Sequence, residues 1–481
     1  MREIEVQPVP LDELVSILEP SRAERLGRYA GRASELLAGR TVWNINATAK
    51  GGGVAEMLQN LLAYGRGVGV DTRWLVLDGD HEFFTITKRL HNHLHGSPGD
   101  GEPLGATERD HFARVLAFNL PMAEQVVRAG DIVLLHDPQT AGLVDGLRAR
   151  GAHVIWRCHI GMDTTDEHTD LGWGFLRGFI EGADGFIFSR AEYVPDFVPH
   201  EKVAIIAPSI DPFSAKNIDL TDVQVRAALA RAGLVGAPDG HESLPFTRRD
   251  GTHGEVRPHA GLVHHQRPMP EDARLVVQVS RWDRLKDMPG VLRGFTARLG
   301  SLPVDAHLAL VGPDTTGVSD DPEGAAVLAE CTHLWAQLPE RARDRVHLVS
   351  LPMDDVDENA HLVNALQRHA AVIVQKSLVE GFGLTVTEAM WKARPVLASR
   401  VGGIQDQVGH GVHGLLIDDP RDLVAFGDAL QLLLTDETAA ARMGRAARER
   451  VRDEFVGDRH LIQYAELFAS LLAQEGPSRS A

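Results

Sequence analysis

Two segments of this 481-residue chain hold residue types at spacings that suit phosphate and sugar chemistry. Glu380–Glu388 reads EGFGLTVTE, directly after the apolar run AVIVQ and before the helical AMWKA. Gly381 and Gly383 let backbone amides approach a ligand, and the amides near Leu384 and Thr385 would open a helix whose N-terminus favours an anionic phosphate. Glu380, on the loop, can accept hydrogen bonds from sugar hydroxyls. Glu388, about a turn into the helix, can reach the two hydroxyls of a ribose. The same Gly-rich turn with nearby acids also occurs as plain capping. Upstream, Ser280–Asp287 reads SRWDRLKD, again at the end of a strand, and sets Arg281 and Lys286 five residues apart on one loop. Two cations so placed can hold a diphosphate and neutralise it as it leaves. Alone the pair reads equally as surface charge; beside EGFGLTVTE it forms a matched set.

Other groups of candidate ligands carry less. Asp78-Gly79-Asp80 imitates a metal-binding D-x-D but follows a strand and reads as a turn. His91, His93 and His95 alternate without a fourth ligand at zinc spacing, so no protein-bound metal is assigned. Cys158 and Cys331 match no zinc or redox spacing and read as reduced core or boundary residues.

The elements that must carry these loops follow from the pattern. TVWNIN at Thr41–Asn46 reads as a buried strand, and Gly51, Gly52 and Gly53 turn it into the helical VAEMLQNLLAYGRG. Further strands are expected at 72–77, 131–135, 153–157, 185–189 and 203–207, separated by helical segments. A second series runs through 274–280, 306–311, 345–350, 371–375, 395–399 and 414–417. The Gly-, Pro- and His-rich stretch from about 236 to 268 is an excursion near the junction. The fold class is therefore α/β, with two doubly wound parallel sheets, and two such domains facing each other would enclose a cleft. The expected domains are 1–207 and 208–450.

Composition limits the alternatives. Length favours two domains, and the hydrophobic share of 43% with 24% charged residues is ordinary for a globular protein. A formal net charge of −18 opposes nucleic-acid binding. No run reaches the roughly 20 apolar residues of a membrane span, and MREIEVQPVP has no apolar signal core. A cytoplasmic protein without membrane or nucleic-acid partners is expected. A dinucleotide-dependent oxidoreductase would fit the sheets, but the first strand lacks G-x-G-x-x-G.

EGFGLTVTEA with the upstream Arg and Lys resembles the retaining GT-B glycosyltransferases. VWNINATAKGGGVAEML, LLHDPQTAGL, RCHIGMD, QVSRWDRLKD and LVEGFGLTVTEAMWKARPV, in that order, resemble the trehalose glycosyltransferring synthases over nearly the whole chain. Trehalose phosphorylases are similar over the same segments. The resemblance implies a GT-B fold with a final helix, around 451–473 and in the C-terminal stretch 451–481, crossing back to the first domain. It implies transfer of glucose from a nucleoside-diphosphate glucose to free glucose, with retention and by front-face substitution in which the leaving phosphate oxygen takes the acceptor's proton. Ser280, Arg281 and Lys286 would meet the diphosphate, Glu380 the glucose, and Glu388 the ribose. Gly381, Phe382, Gly383, Leu384 and Thr385 would line sugar and phosphate. Gly51, Gly52 and Gly53 would close on the acceptor side, with His159 against the donor sugar and Asp137 on sugar hydroxyls. A His after a strand is also often structural, and Asp137-Pro138 is also a turn starter. No tightly bound cofactor is implied, although a magnesium ion could ride on the diphosphate. Small-molecule sugars and the sugar nucleotide are the implied partners, in a homodimer. The donor base stays open among ADP, UDP and GDP forms. The rivals are the phosphorylase, which uses inorganic phosphate, and a non-catalytic nucleotide-sugar-binding module.

Overall fold

The computed structural model describes residues 1–49, 53–236, 245–248, 251–264, 267–315 and 323–473. The chain divides into two compact units, Met1–Ser209 together with the chain from Val456 onward, and Ile210–Phe455.

The first unit is built on seven strands: β1 (Arg2–Ile4), β2 (Thr41–Asn46), β3 (Asp71–Val76), β4 (Ile132–His136), β5 (His153–Cys158), β6 (Gly185–Phe188) and β7 (Val203–Ile205). They lie in the order β1-β3-β2-β4-β5-β6-β7, all parallel except β1, which runs antiparallel along β3. Helices cover both faces, which is why the strands read as near-continuous apolar runs. Trp43, Ile45, Val133, Leu135, Val154 and Trp156 point to one face. Alternate residues Val42, Ile132, Leu134 and Ile155 point to the other, against Tyr464, Phe468 and Leu471.

Those last three belong to the helix Gly457–Ala473, which follows the whole second unit yet completes the first. Its buried Ile462, Phe468 and Leu471 together contribute roughly 5–9 kcal/mol of gross apolar burial. Arg22 of the helix Pro20–Leu36 pairs with buried Asp458 at 2.7 Å. The continuous helix expected around 451–473 is broken. Val451 lies in Glu437–Glu454, and Phe455 leaves helical geometry at φ −128°. Its ring packs 5.9 Å from Phe382 and its carbonyl accepts from the Ile210 amide at 2.9 Å, so that residue is held by the second unit.

The second unit carries a short antiparallel hairpin, β8 (Pro245–Thr247) and β9 (His253–Glu255). Its main sheet comprises β10 (Arg274–Val279), β11 (Ala306–Pro313), β12 (Val346–Leu351), β13 (Val372–Gln375), β14 (Val396–Ser399) and β15 (Leu415–Ile417), all parallel in the order β12-β11-β10-β13-β14-β15. The excursion expected at 236–268 is anchored here where it is described. Arg257 and His259 both contact buried Glu358 on the helix Val356–His369, and Val263 bridges to Val349 on β12.

Gly444 fixes the helix Glu437–Glu454 against the turn at Ala393, a residue held at φ 56°. A methyl group on Gly444 would overlap the Ala393 carbonyl. Helix propensity favours Ala by about 1 kcal/mol, but a clash with backbone cannot be relieved by a rotamer change. Gly444→Ala is expected to lose about 1–3 kcal/mol net, lowering the midpoint of thermal unfolding by several degrees. An unchanged or raised midpoint would show that this contact yields freely.

Candidate active site

In open parallel sheets, ligands bind beyond the carboxyl ends of the strands where the strand order reverses. The second sheet reverses between β10 and β13, since β11 lies to one side of β10 and β13 to the other. The loops after those two strands are SRWDRLKD and KSLVEGFG. Lys286 Nζ meets Glu380 Oε2 at 2.7 Å, and Ser377 Oγ donates to the same oxygen at 3.1 Å. The cation of one loop and the carboxylate of the other, remote in sequence, thus form one partly buried polar cluster.

Residues not singled out from the sequence hold that pair in place. Gln278, buried in β10, donates to the Lys286 carbonyl at 2.7 Å and accepts from the Lys376 amide. Lys376 is fully buried and paired with Asp287, itself at φ 48°, whose Oδ1 caps the helix Met288–Ala297. Leu378 donates its amide to the Leu285 carbonyl at 2.7 Å. Gln375 links Ser377 and Thr385, at 2.9 and 3.0 Å. Arg281 is partly exposed and 3.3 Å from Asp283, which is buried. Ser280 donates its amide to Val311.

Gly383 takes φ 85° and starts the helix Leu384–Trp391, which has no side-chain cap, so the amides at Leu384 and Thr385 open toward the loop. Gly381 accepts from the Gly403 amide at 3.2 Å, and Gln407 donates to the carbonyl of buried Phe382 at 2.5 Å. Glu388 lies one turn along that helix, buried, with Oε1 3.5 Å from Lys216. Beside it Lys392 donates to Asn217 at 3.0 Å, and burial pulls its ammonium down to about 7.

In the first unit the parallel strands reverse between β2 and β4. Asp137 follows β4 and His159 follows β5. The His159 amide donates to Asp137 Oδ1 at 2.7 Å. His159 Nε2 lies 3.1 Å from Nδ1 of buried His136, whose Nε2 lies 3.0 Å from Oδ1 of buried Asn44. Fully buried Arg157 is held by Tyr464, by His460 at 3.2 Å and by the Ile206 carbonyl, all of them neutral groups. Burial, and next the Arg157 charge, hold His136 and His159 well below the usual imidazole range. Asp137 has φ 64° and ψ 176°, a region that costs a non-glycine residue about 1–3 kcal/mol. Gly53 opens the helix Gly53–Gly67, while Gly51 and Gly52 lie outside the described residues.

The remaining motifs have structural positions. Asp80 caps the helix His81–Leu94, and Asp78 binds the amino terminus at 2.5 Å. His91 on that helix stacks at 4.6 Å on His95, the residue that follows its end, and His93 packs beside His168. Cys158 and Cys331 are free and buried. No helix among the described residues is long and apolar enough to cross a membrane.

Two family models match. The one for the trehalose synthase N-terminal domain covers residues 44–195, and the one for group 1 glycosyl transferases covers 355–450. The trehalose synthase of Thermococcus litoralis is 35% identical over 440 residues, spanning 91% of this chain and 92% of that protein. The chain belongs to the trehalose synthase family. A trehalose phosphorylase of Pleurotus pulmonarius is 28% identical over 85% of this chain and 54% of its own length. The α,α-trehalose 6-phosphate synthase structure from Burkholderia multivorans aligns with a TM-score of 0.65 at 17% identity, over 92% of this chain and 100% of that one. This trehalose synthase homologue thus has the GT-B glycosyltransferase fold.

Asp137 links the geometry to pH. Burial drives its carboxyl up to about 7, against the His159 amide and Arg157, which pull it down. An unfolded aspartate titrates near ~3.9. Between these values the folded state holds a proton that the unfolded state has released, so stability falls as pH rises through that window. Asp137→Asn keeps the accepting oxygen and removes the titration. Its unfolding midpoint relative to the parent should therefore climb between pH 4.5 and pH 8. A pH-independent offset would remove this assignment.

Proposed function

We propose that the protein is a retaining glucosyltransferase that moves glucose from a nucleoside-diphosphate glucose to the anomeric hydroxyl of free glucose, forming trehalose. The observation that carries this reading is the Lys286–Glu380 pair, which joins two loops at the strand-order reversal of the second sheet. In this reading Arg281 and Lys286 hold the diphosphate, with help from Ser280 and the amides opening the helix at Leu384 and Thr385. Each of these groups favours charge that grows on the leaving phosphate, and a preorganised donor of this kind is worth about 10²–10³ in rate. Glu380, compensated by Lys286 and Ser377, accepts from glucose hydroxyls, and Gly381, Phe382 and Gly383 let the backbone approach. Glu388 takes the ribose hydroxyls, with Lys216 neutralising the carboxylate until the donor enters. In the first unit, His159, Asp137 and Gly53 act on the sugars.

Retention is assigned to front-face substitution. The leaving phosphate oxygen accepts the acceptor's proton as the new glycosidic bond forms, so the protein's task is positioning and charge stabilisation. A glycosidase-type nucleophile is a poor match for Glu380, whose carboxylate is already engaged by a cation and a hydroxyl. The trehalose phosphorylase relatives favour a second reading in which inorganic phosphate cleaves trehalose to glucose 1-phosphate.

Two measurements test the reading. Glucose incubated with ADP-, UDP- or GDP-glucose should give trehalose and the nucleoside diphosphate with one or more donors. Glucose 1-phosphate formed from trehalose and phosphate, with no nucleotide product, would replace the synthase by the phosphorylase. Arg281→Ala and Lys286→Ala should each lower turnover by about 10²–10³ while circular dichroism stays unchanged. Activity within a few-fold of the parent in both would sink the diphosphate assignment.

A further inference from the structure

The neutral histidine pair of the first unit has a direction built into it. Asn44 lies on β2, and its Oδ1 can only accept, so the His136 Nε2 facing it at 3.0 Å must carry the proton. A neutral imidazole has one N–H, which leaves His136 Nδ1 as a lone pair. The His159 Nε2 that faces it at 3.1 Å must then donate. The two rings are parallel within 12°, their centroids 5.4 Å apart. Asn44 and His136 are 2% and 1% exposed, whereas His159 is only partly buried, so the chain of hydrogen bonds starts in the interior and ends at the carboxyl edge of the sheet. Nearby Arg157 opposes a second proton on either ring. The His159 backbone is fixed independently through its amide to Asp137.

We propose that Asn44 and His136 are positioning residues that hold His159 as its Nε2–H tautomer, so that the ring presents an Nδ1 lone pair to the ligand. A group meeting that nitrogen has to bring a hydrogen, as a sugar hydroxyl does. A methyl ether, a fluorine or a phosphate ester oxygen at the same place meets a lone pair with a lone pair. The selection of a free hydroxyl is thus set two residues behind the residue that touches the substrate. The proposal rests on His159 facing a sugar, as assigned under Proposed function.

The test is nitrogen-15 NMR of the full chain labelled in its histidine rings, with the His159 signals identified by their loss in His159→Gln. The expected result is a protonated Nε2 and an unprotonated Nδ1 at pH 7. A proton on Nδ1, or shifts averaged between tautomers, would overturn the relay in the unaltered protein, without need of any variant. Asn44→Leu should then average the His159 signals and lower kcat/KM about tenfold. If Asn44→Leu lowers only the unfolding midpoint and leaves the tautomer unchanged, the role of Asn44 is structural and the proposal fails. Transfer unaffected by His159→Ala would instead remove the sugar-facing role and the positioning role with it, an outcome distinct from a wrong tautomer in a protein that needs His159.

Discussion

Each unit buries a cation at the carboxyl ends of its strands, and a buried charge must be solvated by the protein itself. Arg157 donates to a tyrosine hydroxyl, an imidazole nitrogen and a backbone carbonyl, and to no carboxylate among the described residues. Its charge therefore remains available to its surroundings, disfavouring protonation of His136 and His159 and drawing Asp137 back toward ionisation. Lys376 has a carboxylate partner in Asp287, and that pair serves a different end. It ties β13 to the loop after β10, which leaves Lys286 rather than Lys376 to face Glu380.

The same contrast separates the candidate residues of the two units, each taken by itself. In the second unit, opposite charges and stapling glutamines give a cross-linked cluster whose net charge is close to neutral. In the first, hydrogen bonds among neutral rings and amides end at a strained aspartate. Backbone strain collects at such places because the surrounding packing over-determines it. Asp137 and Asp287 are two of the three non-glycine residues with positive φ among those described, and both follow loops or strands that carry candidate site residues.

Much of this was legible in the sequence, for physical reasons. Parallel strands covered on both faces appear as apolar runs, so TVWNIN and RLVVQV stand out with their ends nearly correct. Arg281, Lys286 and Glu380 were visible because charge and glycine interrupt those runs at strand ends. β1 was not legible: it is three residues long, two of them exposed, and its partner β3 lies some seventy positions away. The hairpin of β8 and β9 escaped for a related reason, since only Phe246 and Gly254 among its residues are buried. Asn44, Gln278 and Lys376 were missed because a polar residue inside an apolar run gives no sign of its partner until the sheet brings the partner near. The break at Phe455 depends on contacts with Phe382 and Ile210, which helical periodicity cannot encode.

The helix Gly457–Ala473 places a condition on biosynthesis. Arg157 is made early, but His460 and Tyr464, which solvate it, leave the ribosome only after all of Ile210–Phe455 has been translated, a delay on the order of tens of seconds. Until then one apolar face of the first sheet lacks Tyr464, Phe468 and Leu471, and Arg157 lacks two of its three neutral partners. The unit encoded first is thus the one finished last.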